Sequence, residues 1–528
     1  MSSASHTIPS GLHGRRVLVS AYDLEQGEHR GIAVFSKALI RCLHDAGAEV
    51  WLLTGFSPVL KGRGRQLLPR KARSLIQMSV ILDSLAYGRQ TREQSFLERR
   101  FRWARFLIAW RNRILLLKVW LSRPRRYRSV DMLQMPLAEL DDNPYLRMER
   151  LSYLQDVTGI VSAPGIYLAS QSAAMLAEQI PVTIDCSGFD ALLTTCPLNL
   201  LALNVPVFVQ SVHDLIPLEF FAHNENQVMF SHRLQACLPG GRLFVSEATA
   251  RKFRERILQP ELSRERHKAP RTINHQERVV VQPPSLRFPR WLLTDPDRVG
   301  DLKPASYLLR PHPEDPDPTS ANQGWAERPI NQRSRRMLPF RYLLFNSSVE
   351  ARKNLFLLAE AYAESNLSAQ GIHLCVTGKL KNDDYSAAVK SIVRHEPGIL
   401  LTGYVDESTK RDLYLNALAL LSPSLVEGFG IPVLDAACLG MPSLVSDSAS
   451  HLEIAALHDF DATVLPLSTL SSRDWADAMS AQAALNRTLW QSRRASVERR
   501  RRISRYEKLR LHFYSQLQSD LTDVLISN

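Results

Sequence analysis

Between residues 422 and 442 the chain reads SPSLVEGFGIPVLDAACLGMP. Glu427 ends a turn after a strand-like run, Gly428, Phe429 and Gly430 form a loop, and Pro432 falls in the first turn of the following helix. Glycines at such a junction let backbone N–H groups approach a ligand at the positive end of the helix. Asp435 lies about one helical turn farther on, so two carboxylates can face one cleft at different depths. Carboxylates accept hydrogen bonds from vicinal hydroxyls, whether of a hexose or a ribose.

Two other clusters have chemistry of their own. Residues 346–355, NSSVEARKNL, place Arg352 and Lys353 just before a helix start, with Asn354 as its cap. Paired cations there stabilise phosphate and the charge that develops when a phosphate departs; as plain structure they are two solvated bases at a helix end. Residues 212–217, VHDLIP, put His213 and Asp214 at the end of an apolar strand, where a histidine either faces a ligand or serves as a structural hydrogen-bond partner. Ser246-Glu247-Ala248-Thr249 reads as a helix cap. Neither first strand is followed by G-x-G-x-x-G, which weakens a dinucleotide dehydrogenase, and no serine triad, Walker lysine motif or H-E-x-x-H stands in the chain. Six scattered cysteines show no C-x-x-C pair, so they read as buried reduced thiols rather than zinc ligands or disulfides.

The elements that must position these residues alternate. Strand 15–21, helix 31–45 and strand 49–54 make a β-α-β opening, with Gly31 at the first turn of the helix. Strand-like runs resume at 181–185, 206–213, 243–245 and 278–282. Residues 283–339 hold 11 of the 30 prolines and read as a linker, the two D-P-D triplets at 295–297 and 315–317 included. Beyond it, strands at 341–345, 373–377, 399–405, 419–423 and 443–446 alternate with helices at 355–364, 384–393, 408–418 and 433–439. Such sheets bind ligands beyond the strands' C-terminal ends.

At 45% apolar and 23% charged, the 528 residues exclude wholesale disorder, collagen and coiled coil, and the length allows two to four domains. The net charge of +13 is not spread evenly. Residues 61–128 carry +16, leaving −3 for the remainder. Residues 99–128 interleave Phe101, Trp103, Phe106, Trp110 and Trp120 with eleven bases and no acid, a composition suited to an anionic bilayer surface or to covering the segment's own domain; nucleic acid is not the expected partner. The longest uncharged stretch, 191–212, is broken by prolines and asparagines, so no membrane span is expected. Residues 1–13 lack a basic start and an apolar run, so the expected location is cytoplasmic, with peripheral attachment at the membrane face through 61–128.

Taken together, the 422–442, 346–355 and 212–217 segments resemble the retaining, nucleotide-sugar-dependent glycosyltransferases of family 4. The match is best over 341–454, good over 207–253 and recognisable over 15–55. The resemblance implies the GT-B fold: α/β, two doubly wound Rossmann-like domains facing a cleft. The expected organisation is an acceptor-side domain over 1–288 with a basic helical insertion at about 58–150, and a linker over 289–338. A nucleotide-sugar domain over 339–485 and a C-terminal helix over 486–528, packing back on the first domain, complete it. It also implies that Glu427 holds donor-sugar hydroxyls with help from the amides of Gly428, Phe429 and Gly430. Arg352 and Lys353 would bind the diphosphate, His213 would lie near the transferred sugar, and Gly31 would lie by the phosphates. Asp435 would bind the ribose, one methylene shorter than the usual Glu, and Gly403 and Val405 would frame the base, with Asp214 a further site position beside His213. The implied activity is hexosyl transfer to a glycan or lipid-linked acceptor in cell-surface polysaccharide synthesis. No metal or cofactor is expected, and the E-A-R-K-N loop, like that of mannosyl-transferring members, points to GDP-mannose. The alternatives are a nucleotide-sugar epimerase of the same fold and a non-catalytic polyanion- or membrane-binding protein on that scaffold.

Overall fold

The computed structural model describes residues 11–58 apart from 21, 28 and 30, then 68–89, and eight positions between 106 and 121. It further describes 126–292 apart from 141–143, 177–180, 221–224, 261–272 and 290, and 341–526 apart from 381–382, 397, 404, 406, 458–459 and 487–491. The D-P-D triplets, part of the basic insertion, most of the linker and Tyr404 lie outside the described residues. The chain divides into two compact units, one of residues 1–218, 224–283 and 514–528, the other of 219–223 and 284–513.

The first unit is built on an eight-stranded sheet. Its strands are β1 (Arg16–Ser20), β2 (Glu49–Thr54), β4 (Leu133–Pro136), β5 (Gly159–Ser162), β7 (Ala191–Thr194), β9 (Val207–Val212), β10 (Gly241–Phe244) and β11 (Glu277–Val279). They run in the order β11-β10-β9-β7-β1-β2-β5-β4, and β4 lies antiparallel to β5 at the edge. A small parallel sheet of β3 (Arg126–Tyr127), β6 (Val182–Asp185) and β8 (Leu200–Leu203) stands beside it. Strands β5, β7 and β8 were not expected from the sequence. Leu18, Val161, Leu192 and Tyr167 pack in one core cluster, and Val212, Phe244 and Phe253 in another.

The second unit holds a wholly parallel six-stranded sheet. Its strands are β12 (Arg341–Asn346), β13 (Ile372–Thr377), β14 (Ile399–Gly403), β15 (Leu420–Ser422), β16 (Ser443–Ser446) and β17 (Val464–Leu467). The order β14-β13-β12-β15-β16-β17 is that of a Rossmann-like, doubly wound sheet. Sequence reading expected five strands; β17, with the half-exposed Pro466 in VLPL, is the sixth. Succession changes direction between β12 and β15, so the chain leaves their C-terminal ends toward opposite sides and opens a crevice there. Both units are thus doubly wound α/β folds, as expected.

One expectation needs revising. The start of the proline-rich stretch is not solvated: Leu286 and Leu292 are fully buried and Phe288 is 8% exposed, so 284–292 belongs to the packed second unit. The expected C-terminal helix runs over Ser492–Ile526. Arg502 is 1% exposed, and its Nη1 donates to the carbonyls of Tyr414, Leu415 and Ala417 at 3.2, 3.2 and 3.0 Å. These carbonyls end helix Glu407–Asn416, so the guanidinium caps a helix C-terminus where a cation is favoured. From Tyr514 onward the helix counts with the first unit, where Asp520 pairs with Arg278 at 2.6 Å and Leu525 O accepts from Arg15 at 2.8 Å.

Candidate functional site

The loops after β12 and β15 meet at the crevice of the second sheet. The amide of Leu425 donates to Arg352 O at 2.8 Å, which ties one loop to the other. After β12 the chain makes a tight turn at Ala351–Lys353 and reaches Asn354 in the left-handed region, φ 52°. Asn354 occupies the N-cap position but makes no side-chain cap; the amide of Leu355 donates instead to Tyr385 Oη at 2.9 Å. A left-handed turn that asparagine tolerates is therefore what the residue supplies. Gly378, at the end of β13, lets the loop pass: a Cβ there would lie 1.9 Å from Ser347 O.

This turn delivers Lys353 and Arg352 to Glu427. Lys353 Nζ pairs with Glu427 Oε1, the two side chains 7% and 9% exposed. Arg352 Nη1 lies 3.4 Å from Oε2, and Ser424 Oγ donates to Oε1 at 2.9 Å. Glu350 holds the guanidinium from its other side, Oε2 to Nε 3.0 Å. Burial opposes ionisation of Glu427, but Lys353, Arg352 and His451 outweigh it and bring the carboxyl down to about 2. Burial also lowers Lys353, with Glu427 opposing the shift, so the pair stays charged because each partner supports the other. His451 is buried beneath the loop and is lowered to about 4, by burial first. Its Nδ1 lies 2.9 Å from Ser446 Oγ, and Ser450 Oγ donates to the carbonyls of Glu427 and Gly428 at 2.9 and 3.1 Å. Gly430 then turns at φ 109° into helix Ile431–Leu439, with His451 Cδ2 3.2 Å from where a Cβ would sit. The result is an ionised acceptor, two cations and a glycine turn at a helix N-terminus, suited to hydroxyls beside phosphate.

Of the other expected positions, Gly403 ends β14 at φ 70°, where its carbonyl accepts from Gly378 N at 2.9 Å, and Val405 follows half-buried. They stand at and just beyond the end of the strand two places across the sheet from β12. Asp435 is not in the Glu427 cluster. It is 2% exposed, with both carboxylate oxygens taken by Ser285 and Tyr506, so a carboxylate facing the same crevice as Glu427 is not what the structure shows.

In the first unit the corresponding reversal of strand order falls between β1 and β7. Three loops converge there. His213, after β9, places Nε2 2.7 Å from Thr195 O, after β7, and Thr195 Oγ1 donates to Asp23 Oδ1 at 2.6 Å, after β1. A carbonyl only accepts, so Nε2 carries the proton and Nδ1 is the acceptor of the neutral ring. Burial lowers His213 below its ordinary value, with the Thr195 carbonyl and Asp23 opposing. Asp23, buried and held by Ser36 Oγ at 2.6 Å as well, is shifted upward by burial. Asp214 Oδ1 accepts from Ile216 N at 3.1 Å, starting the short helix Ile216–Glu219, and Gly31 stands exposed at the first position of helix Gly31–Asp45. Ser246 caps its helix through Thr249 N at 3.1 Å, as expected. Sequence reading assigns no separate role to Asp23, Glu350, Ser424 or His451; Glu350 and Ser424 stand inside two of the quoted motifs, whereas Asp23 and His451 lie outside them.

Residues 329–484 match the model of the glycosyl transferases group 1 family, so the second unit carries a glycosyltransferase group 1 domain. O-antigen chain mannosyltransferase B of Escherichia coli is 29% identical over 115 residues, which is 21% of this chain and 30% of that protein. The chain therefore spans under a third of the length of the curated relative it matches. Among solved structures, sucrose-phosphate synthase from Thermosynechococcus elongatus aligns at TM-score 0.48 and 12% identity, covering 94% of this chain and 97% of that one. HepE of Anabaena, solved with UDP and glucose, aligns at 0.45 and 11%, covering 96% and 100%.

Proposed function

We propose that the chain is a retaining glycosyltransferase of family 4 and of the GT-B class, moving a hexosyl residue from a nucleotide diphosphate sugar to a hydroxyl of a glycan or lipid-linked acceptor. The observation that carries this reading is Glu427, held ionised between Lys353 and Arg352 at the point where the second sheet reverses its strand order. With Glu350 the four side chains balance in charge, so an incoming diphosphate adds the negative charge that the two cations then share. Sugar hydroxyls donate to Glu427 in place of the cations that the phosphate draws off. As the bond between the anomeric carbon and the β-phosphate oxygen breaks, its electron pair stays on that oxygen beside Arg352 and Lys353. The acceptor oxygen bonds the anomeric carbon on the same face, and its proton passes to the departing phosphate. The positive charge this step needs comes from the protein, so the proposal calls for no metal.

GDP-mannose is the first donor to try, supported by the E-A-R-K-N loop and by the mannosyltransferase named above. His213 offers Nδ1 as an acceptor to a sugar hydroxyl, and the product belongs to cell-surface polysaccharide synthesis. For place of action we propose the cytoplasmic membrane face. Phe106, Trp110 and Leu121 are 70%, 58% and 66% exposed beside exposed Arg111 and Arg113, in the segment that carries the net positive charge. Thermal-shift measurement against GDP, UDP and their sugars tests the donor site: a true donor raises the unfolding temperature, and no shift with any of them contradicts the proposal. Sugar product formed without any acceptor would favour an epimerase.

A further inference from the structure

Asp435 lies within helix Ile431–Leu439, five residues after the Gly430 turn, yet its carboxylate serves partners remote in sequence. Oδ1 accepts from Ser285 N at 2.6 Å and from Tyr506 Oη at 2.7 Å; Oδ2 accepts from Ser285 Oγ at 2.5 Å. The network continues, since Tyr506 Oη accepts from Leu286 N at 2.6 Å and the Phe288 ring meets Tyr506 edge-on at 5.2 Å. Tyr506 and Leu286 are fully buried, and Phe288 is 8% exposed. The main segment of the second unit runs from Pro284 to Phe513, so one carboxylate joins its beginning, its middle and its end. A carboxylate with three donors and 2% exposure has its needs met. Binding a ribose would require giving up these bonds and uncovering both Ser285 and Tyr506, with buried polar groups left unpaired.

We propose that Asp435 is the lock that holds 285–288 and Tyr506 to helix Ile431–Leu439, and that the donor site engages the nucleotide ribose without this carboxylate. The second half rests on the nucleotide-sugar reading; the first does not. The test compares wild type, Asp435→Asn, Tyr506→Phe and the double variant in urea unfolding. It also compares their calorimetric affinities for GDP and UDP with those for the 2′-deoxy and 3′-deoxy analogues. The lock predicts that each single variant lowers the urea midpoint and that the double variant loses less than the sum. It also predicts that Asp435→Asn changes the ratio of ribo to deoxy affinity by less than about twofold, because no bond to ribose is removed. A ratio that collapses by about tenfold or more in Asp435→Asn while Tyr506→Phe keeps the wild-type value would overturn the ribose half. Additive stability losses would overturn the lock. Should wild type bind no nucleoside diphosphate, the nucleotide-sugar reading fails and the urea cycle still judges the lock. Should Asp435→Asn fail to fold, the same cycle between Ser285→Ala and Tyr506→Phe decides it, and the deoxy ratios of these two variants must stay at the wild-type value.

Discussion

Lys353 and Glu427 form an ion pair with less than a tenth of either side chain exposed, 74 residues apart in sequence and joined at the ends of neighbouring strands. Removing one member of such a pair leaves the other charged and buried, at a cost of about 3–5 kcal/mol. Lys353→Met is accordingly expected to lower the denaturant stability of the second unit by about 3 kcal/mol and to abolish transfer. Lys353→Arg should recover part of the stability. A loss in Lys353→Met of less than about 1 kcal/mol would show that the pair is not desolvated.

Two groups at the site contribute to the acid limb of stability, and their parts are separable. Glu427 has a folded value near 2 against an ordinary 4.5, because its cations outweigh the opposing effect of burial. Its contribution is complete above 4.5 and is lost as pH falls from there toward 2. His451, lowered by burial from 6.5 to about 4, stays neutral in the fold while the unfolded chain takes up a proton, so stability also falls between 6.5 and 4. Chemical denaturation at stepped pH should show both declines, and Glu427→Gln should shrink the lower one and keep the upper. An unchanged lower decline in that variant would contradict the assignment.

Gly378 is an expected point of failure for a small change. A methyl group there meets Ser347 O, and the backbone sits at φ 141°, where side chains are rarely accommodated. Gly378→Ala should cost about 1–3 kcal/mol and displace the loop that carries Arg352 and Lys353, weakening nucleotide affinity as well as stability. Retained affinity and melting temperature would mean that the loop yields freely.

The proposed membrane attachment predicts salt-sensitive sedimentation with vesicles containing phosphatidylglycerol and little with phosphatidylcholine alone. Replacing Phe106 and Trp110 by serine should reduce it further. Equal binding to both vesicle types, or none to either, would sink the proposal.

The strands that sequence made visible are the apolar ones flanked by turn residues, such as RYLLF in β12 and RVLVS in β1. Strands β7 and β17 stayed hidden, and strand order is a property of packing that periodicity does not carry. Glu427, Arg352 and Lys353 stood out because a glycine turn and a pre-helical basic pair are local patterns. The network around Asp435 was invisible, since its partners lie 150 and 71 residues away. Asp23 likewise is linked to His213 through Thr195, across three strands of the folded sheet.

The central claim is that Glu427 holds the transferred sugar. Its most direct test is transfer of labelled mannose from GDP-mannose, and of glucose from UDP-glucose, to a lipid-linked glycan acceptor by wild type and Glu427→Gln, with both shown to be folded by circular dichroism. The account predicts transfer by the wild type and a loss of at least about 100-fold in the folded variant. Transfer by Glu427→Gln at the wild-type rate would contradict it.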